Sequence, residues 1–445
     1  MGSLELKGGQ ELRILFNIST GSDGLPTATM DSLDQGASGI PVEKVIYKDG
    51  TLRLEVTAIK GIFEGVLKED GKTIEGEWKQ MGSVFPLVLS RIDEKPEIRR
   101  EQDPVKPYPY DEEEVVYENK EAGIQLAGTL TKPKTEGPFP AVLLITGSGK
   151  QDRNEAVFGH RPFLVLSDYL TRQGIAVLRV DDRGVGGSTG NFSRVTTEDF
   201  AEDAVAGVEY LKSREDIDPD RIGLIGHSEG GLIAPMVAVR SPDVAFIVLM
   251  AGPGLTGEEI VLFQSRLVAE ADGVANETIA KNDALLKDIF SVIKAEENDT
   301  IAGEEIRRLV TDTLANLSEE EKQYSSYTEE SLDAEIKLLV SPWTRYFLTY
   351  DPKTTLIEVE CPLLAINGEK DLQVPPEENL RAIEEALEAG GNEDYTVKEL
   401  PELNHLFQTA KTGSPSEYAT IEETMSPTAM ELIGDWVLEH TQMEE

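Results

Sequence analysis

A glycine-flanked serine lies in the segment Gly226-His227-Ser228-Glu229-Gly230-Gly231. The apolar run Ile222 to Ile225 precedes it, and Leu232, Ile233 and Val237 follow at helical spacing. The context is strand, glycine-rich turn, helix, which is what gives a G-x-S-x-G match mechanical meaning. Glycine lets the backbone pass close to itself at a sharp turn. Such a turn projects the Ser228 hydroxyl above the sheet. It also aims the N–H groups of a starting helix at developing negative charge. The chemistry implied is nucleophilic attack on a carbonyl carbon. The alternative is a glycine turn with a structural role only.

A hydroxyl needs a base to become a good nucleophile. The chain has four histidines, His160, His227, His405 and His440. His227 belongs to the serine turn, and its side chain is expected to point away from Ser228. His440 stands near the carboxyl terminus and reads as solvated. His160, before Arg161-Pro162, reads as structural, with substrate lining as the alternative. His405 follows the strand-like run Tyr395 to Leu400, in Pro401-Glu402-Leu403-Asn404-His405. A loop after the last strand places it over the carboxyl edge of a sheet, so His405 is the expected base.

The base needs a carboxylate on its other nitrogen. Asp371 follows the run Leu363 to Ile366, in Asn367-Gly368-Glu369-Lys370-Asp371, 34 residues before His405. It is the expected orienting acid, with Glu369 as its nearest rival. Two backbone N–H groups should hold an oxyanion. One comes from Glu229, after the serine. The other comes from Thr146-Gly147-Ser148-Gly149, with Ser148 chosen and Gly149 in reserve. Gly147-Ser148-Gly149-Lys150 lacks the spacing of a phosphate loop, and Gly184, Gly186 and Gly187 do not follow a first strand as a dinucleotide fingerprint would. With no His-x-x-x-His and no cysteine pair, no metal and no cofactor is expected.

These residues must be carried by something. Apolar runs at Ala141 to Ile145, Ile175 to Val180, Ile222 to Ile225, Ala245 to Met250 and Leu363 to Ile366 alternate with helical patterns. The helical patterns are Phe163 to Arg172, Phe200 to Lys212, Leu232 to Val239 and Leu380 to Ala389. With Val115 to Tyr117 and Ile124 to Leu130 in front, this predicts an α/β fold whose mainly parallel sheet is covered on both faces. Residues 256–350 contain no strand pattern. Glu259 to Ala271, Asn282 to Lys294, Glu304 to Leu317 and Ser331 to Leu339 read as helices, an insertion over the carboxyl edge of the sheet.

Upstream, Leu12, Ile14, Phe16 and Ile18 alternate with polar neighbours, as do Leu52, Leu54 and Val56, and Asp49-Gly50 and Asp70-Gly71 signal turns. Residues 1–92 therefore read as a small all-β barrel or sandwich. The charged, proline-punctuated stretch 93–112 reads as a linker. The catalytic part would then comprise 113–255 and 351–445, with 256–350 as a helical cap.

A chain of 445 residues suggests two or three folding units. Its 83 acidic and 42 basic residues give a net charge of −41, which repels nucleic acid and anionic membranes. The single cysteine, Cys361, excludes an internal disulfide. No apolar run reaches the roughly 18–20 residues that span a bilayer. Met1-Gly2-Ser3 does not read as a signal peptide, which leaves both a cytoplasmic location and export after removal of a leader open. A homo-oligomer is likewise compatible with the sequence.

Residues 111–445 resemble the α/β-hydrolase fold family, in the branch of carboxylesterases and serine aminopeptidase-like hydrolases. The matching pieces are Gly147-Ser148-Gly149, Asp182-Arg183-Gly184-Val185-Gly186, the Ser228 segment, Asn367 to Asp371 and Asn404-His405. Thr146 stands where that family often has histidine. The segment Ala28 to Ala37, followed by Ile40-Pro41-Val42, resembles a small β domain found ahead of some bacterial esterases of this kind. The resemblance implies a serine carboxylesterase acting on small, short-chain acyl esters. The alternative is a peptidase or aminopeptidase acting on small peptides or aminoacyl amides.

Overall fold

The computed structural model describes residues 1–5, 11–21, 24–33, 37–80, 83–93, 99–318, 321, 327 and 331–441. Asp34-Gln35-Gly36 of the amino-terminal resemblance and residues 94–98 of the expected linker lie outside them. The chain divides into two compact units. One is Met1–Arg100 with Val157–His160, and the other is Glu101–Ala156 with Arg161–Glu445.

The first unit holds two antiparallel sheets. Strands β1 (Gly2–Glu5), β2 (Glu11–Thr20), β3 (Pro26–Ser32) and β4 (Ala37–Val42) form one. Strands β5 (Lys44–Lys48), β6 (Thr51–Val56), β7 (Gly61–Leu67), β8 (Thr73–Gln80) and β9 (Ser83–Ser90) form the other. Alternation buries Leu52, Leu54 and Val56 against Phe63, Trp78 and Leu87 in one core. Met1 and Ser90 exchange backbone hydrogen bonds of 2.8 Å, joining the two sheets at their ends. Asp49 and Gly50 both take positive φ, 52° and 80°, as a two-residue hairpin turn requires. Ile18 departs from its expected place: beside the β2–β3 turn it is 49% exposed.

The second unit is built on an eight-stranded sheet. Its strands are β10 (Asp111–Asn119), β11 (Ile124–Lys132), β12 (Phe139–Ile145), β13 (Ala176–Val180), β14 (Ile217–His227), β15 (Val244–Met250), β16 (Leu363–Gly368) and β17 (Tyr395–Leu400), in the order β10-β11-β13-β12-β14-β15-β16-β17. The first two strands are antiparallel and the remainder pair in parallel. Alternation along β12 sends Ala141, Leu143 and Ile145 to one core and Val142 and Leu144 to another. Helices Thr197–Lys212, Gly230–Ala238 and Pro376–Gly390 supply the first core, and Pro162–Arg172 and Pro427–Thr441 the second. This is the α/β-hydrolase sheet.

Between β15 and β16 come the helices Gly257–Ala271, Asn276–Ala295, Asp299–Asn316, Leu332–Leu339 and Pro342–Thr349, with a short turn at Lys353–Leu356. They have their own core. Leu285, Ile289 and Ile293 recur every four residues, as do Ala302, Ile306 and Val310, which lines one face of each helix. The insertion is therefore a packed cap.

Candidate active site

Four strand ends build the site. At the end of β14, Ser228 takes φ of +53°, a strained value for a residue with a side chain. Its N–H donates to Met250 O at 2.9 Å, while the helix Gly230–Ala238 starts two residues on. The turn needs its glycines: a Cβ on Gly226 would lie 2.0 Å from Gly230 O, and one on Gly230 would lie 2.2 Å from Ile145 O. Ser228 remains partly exposed amid buried neighbours.

Asp371 lies in the turn after β16 and is almost fully buried. Its Oδ1 accepts the N–H groups of Gln373 at 2.8 Å and Val374 at 2.9 Å. Its Oδ2 lies 2.7 Å from His405 Nδ1. A carboxylate at Nδ1 holds the proton there and leaves Nε2 with a lone pair, the tautomer a general base needs. The His405 loop is braced by Asn404, whose Oδ1 accepts the Leu406 and Gln408 N–H groups at 3.0 and 2.9 Å. The rival acid Glu369 is used elsewhere, accepting the Glu402 N–H at 2.8 Å.

The loop after β12 passes next to the serine. A Cβ on Gly147 would lie 3.2 Å from the Ser228 Cβ. The Gly147 N–H is already committed to Glu155 Oε1, at 2.7 Å. Ser148 is exposed, and among the described residues neither its N–H nor that of Glu229 has an acceptor. Thr146, at the position where the resembling family often has histidine, donates its hydroxyl to Asp182 Oδ1 at 2.9 Å. Asp182 also accepts the Gln151 N–H. Burial nevertheless pushes its pKa up to about 7, and the charges of Glu229 and Glu155 add to this. Arg183 is structural: it pairs with Asp203 at 2.6 Å and Asp199 at 3.0 Å.

The four histidines separate cleanly. His227 points away from Ser228, with Nδ1 2.9 Å from Glu155 Oε1 and Nε2 3.0 Å from His405 O. Burial alone would lower its pKa, but the Glu155 charge and hydrogen bond, the His405 carbonyl and the Asp371 charge raise it. His160 is fully buried and exchanges backbone hydrogen bonds with Val157. His440 departs from expectation. It is not a solvated terminal residue, because its ring stacks on Trp436 at 3.8 Å and Nδ1 meets Trp436 O at 2.8 Å, one helical turn back.

Two contributors escaped the sequence reading. Trp343, on the cap helix Pro342–Thr349, donates its indole N–H to Glu229 Oε1 at 2.8 Å. The same oxygen accepts the Thr197 hydroxyl at 2.6 Å. Burial raises the pKa of Glu229 against both bonds. The Ser341-Pro342 pair was the available signal for that helix, an N-cap followed by proline at its first position. Glu155 had no signal, being one acid among many in an irregular loop. A cavity of about 50 Å³ opens behind the β12 loop, between Thr146, Asp182, Phe200 and Glu229. Among the described residues no group of His, Cys, Asp or Glu is placed to hold a metal ion, and no helix is long and apolar enough to cross a membrane.

Comparison with known proteins adds a family and relatives. The profile of the X-Pro dipeptidyl-peptidase (S15) family matches residues 122–397, a stretch that includes Ser228 and Asp371. Esterase EstD of Thermotoga maritima is 26% identical over 347 residues, which span 78% of this chain and 71% of that protein. Human dipeptidyl peptidase 8 is 34% identical over 143 residues, 30% of this chain and 16% of that protein. Among solved structures, an esterase of Pyrococcus furiosus is similar at 16% identity with a TM-score of 0.42, covering 75% of this chain and 93% of its own.

Proposed function

The chain belongs to the X-Pro dipeptidyl-peptidase (S15) family, and from that premise we propose that it is a serine hydrolase cleaving small peptides or aminoacyl amides. Ser228 is the nucleophile, His405 the base and Asp371 the acid that orients it. The observation that carries the amide reading is the family match across residues 122–397. The 2.7 Å contact between Asp371 and His405 supports the chemistry.

His405 Nε2 takes the proton from the Ser228 hydroxyl as its Oγ bonds to the carbonyl carbon. The N–H groups of Ser148 and Glu229 hold the oxygen that becomes negative, each worth about 3–4 kcal/mol in a site of this kind. The protonated His405 then passes its proton to the leaving nitrogen as the C–N bond breaks. Water repeats the sequence on the acyl-enzyme, releasing the acid and restoring the Ser228 hydroxyl. The chemistry uses no cofactor or metal.

The carboxylesterase reading is second. It is favoured by the likeness to esterase EstD, which runs over 78% of this chain. An ester differs only in releasing an alcohol, so the same residues serve. A panel of short peptides, aminoacyl amides and short-chain acyl esters, run with wild type and Ser228→Ala, decides. Amide turnover with kcat/KM above that for matched esters supports the peptidase reading, and ester turnover alone overturns it. Unchanged turnover in Ser228→Ala would remove Ser228 from the mechanism.

A further inference from the structure

We propose that Glu155 and His227 are positioning residues, a buried ion pair that braces the oxyanion loop against the loop carrying His405. Glu155 Oε1 receives the Gly147 N–H at 2.7 Å and faces His227 Nδ1 at 2.9 Å. The other ring nitrogen of His227 faces the His405 carbonyl at 3.0 Å. One side chain thus spans from the β12 loop to the base, starting at the residue before Ser228.

The partners decide the protonation state. A backbone carbonyl can only accept, so Nε2 must donate. As a carboxylate Glu155 can only accept, and its Oε1 takes the Gly147 N–H, so in the proposed pair Nδ1 donates to it as well. A ring donating from both nitrogens is an imidazolium. The raised pKa of His227 agrees with this geometry. Glu155 is held at a cost, since it takes φ of +52°, a left-handed value that a side chain rarely adopts. Backbone strain of this kind persists only where the surroundings enforce it.

The consequence is geometric and electrostatic. The His227 and His405 rings lie 4.9 Å apart between centroids, which sets a fixed positive charge beside the base. The other groups facing this pair of rings are Asp371, on His405 Nδ1, and Tyr418, whose hydroxyl bonds to the His405 backbone. Asp182 lies close enough to feel the charge of Glu155. Loss of the brace would misplace both the Ser148 N–H and His405, and displacement of about 1 Å can cost on the order of 100-fold in rate.

The rate consequence rests on the proposed acyl-transfer reading; the protonation state does not. The first test is therefore nitrogen NMR of the full chain labelled with 15N-histidine, with the His227 signals assigned by their loss in His227→Gln. Both ring nitrogens of His227 are expected to stay protonated at pH 8, well above the ordinary histidine value of about 6.5. A neutral ring at pH 8 overturns the pair. The second test is Glu155→Gln, which keeps the shape and removes the charge. Expected are loss of the imidazolium signal at pH 8 and kcat reduced about 10- to 100-fold with KM nearly unchanged. The double variant with His227→Gln should lose no more than the worse single one. Losses that multiply, or a loss carried by KM rather than kcat, refute the coupling. A wild type without acyl transfer would fail the functional reading and leave the NMR result to judge the ion pair alone.

Discussion

The indole N–H of Trp343 donates to Oε1 of Glu229 at 2.8 Å, which ties a cap helix to the residue following Ser228. Glu229 is almost completely buried, and its two donors at that oxygen are Trp343 and Thr197. The cap therefore rests on the same residue whose backbone N–H is proposed to hold the oxyanion. Tyr346, one turn further along the same helix, adds a bond to Glu198 Oε2 at 3.1 Å.

Trp343→Phe keeps the ring and removes the donor. The buried Glu229 oxygen then keeps the Thr197 hydroxyl alone. A lost partner for a buried polar group costs about 1–3 kcal/mol, so the melting temperature should fall. If the cap also shapes the acyl pocket, KM should rise several-fold across the substrate panel while kcat changes less. Thermal denaturation and steady-state kinetics on the same preparation read both effects.

Asp371→Asn tests the contact with His405. The amide can still accept the Gln373 and Val374 N–H groups through its oxygen. Its NH₂ then faces Nδ1 and favours the tautomer with the proton on Nε2, where the Ser228 proton must go. The expected loss is about 10⁴-fold in kcat, with little change in melting temperature. A loss below 10-fold would show that another group orients the base.

Asp182 predicts a pH dependence of stability. Its usual value of 3.8 is pushed up to about 7 in the folded protein, mainly by burial. The folded state therefore binds this proton more tightly than the unfolded chain. The stabilisation is complete below about pH 4 and is lost as the pH rises through about 7, by a few kcal/mol at most, at roughly 1.4 kcal/mol per pH unit. Asp182→Asn should flatten this part of the profile and stabilise the protein at pH 8 relative to wild type. Denaturant unfolding from pH 4 to pH 8 measures the difference.

Gly230→Ala tests the turn after Ser228. The added Cβ would sit 2.2 Å from Ile145 O, a backbone atom in the central strand β12. The sheet cannot give way cheaply, so a destabilisation of about 1–3 kcal/mol is expected. Activity should fall with it, because the displaced helix carries the Glu229 N–H. Gly50→Ala is a poor control, since Gly50 needs positive φ. Gly303→Ala is the better one, because the single neighbour within 4 Å of its added Cβ is a side-chain methyl, Ile336 Cγ2 at 3.0 Å, rather than backbone.

Much of this protein was legible in one dimension because its elements obey local rules. Continuous apolar runs such as Ile222 to Ile225 are what buried parallel strands require, and their residues are buried as the pattern implied. The cap helices repeat apolar residues every three to four positions, so they could be placed without knowing what they cover. The helix Pro342–Thr349 escaped that pattern, although Leu332–Leu339, of the same length, did not. Ser228, Asp371 and His405 each follow a strand, and strand ends at one edge of a parallel sheet must converge.

Local pattern could not say which polar groups meet. His440 looked solvated from its place near the terminus, yet a single helical turn stacks it on Trp436. Glu155 is one of 83 acidic residues, and nothing in its neighbours marks it. Its meeting with Gly147 and His227 depends on where β12 and β14 leave the sheet. So does the 2.7 Å approach of Asp371 to His405, and so does the reach of Trp343 to Glu229. The sequence by itself determined most strands and helices of the hydrolase sheet and the residues Ser228, Asp371 and His405 as able to do chemistry, since periodicity and turn chemistry act over a few residues. Only the tertiary structure decided the partners, because a hydrogen bond is settled to within about half an ångström by the packing of elements far apart in the chain.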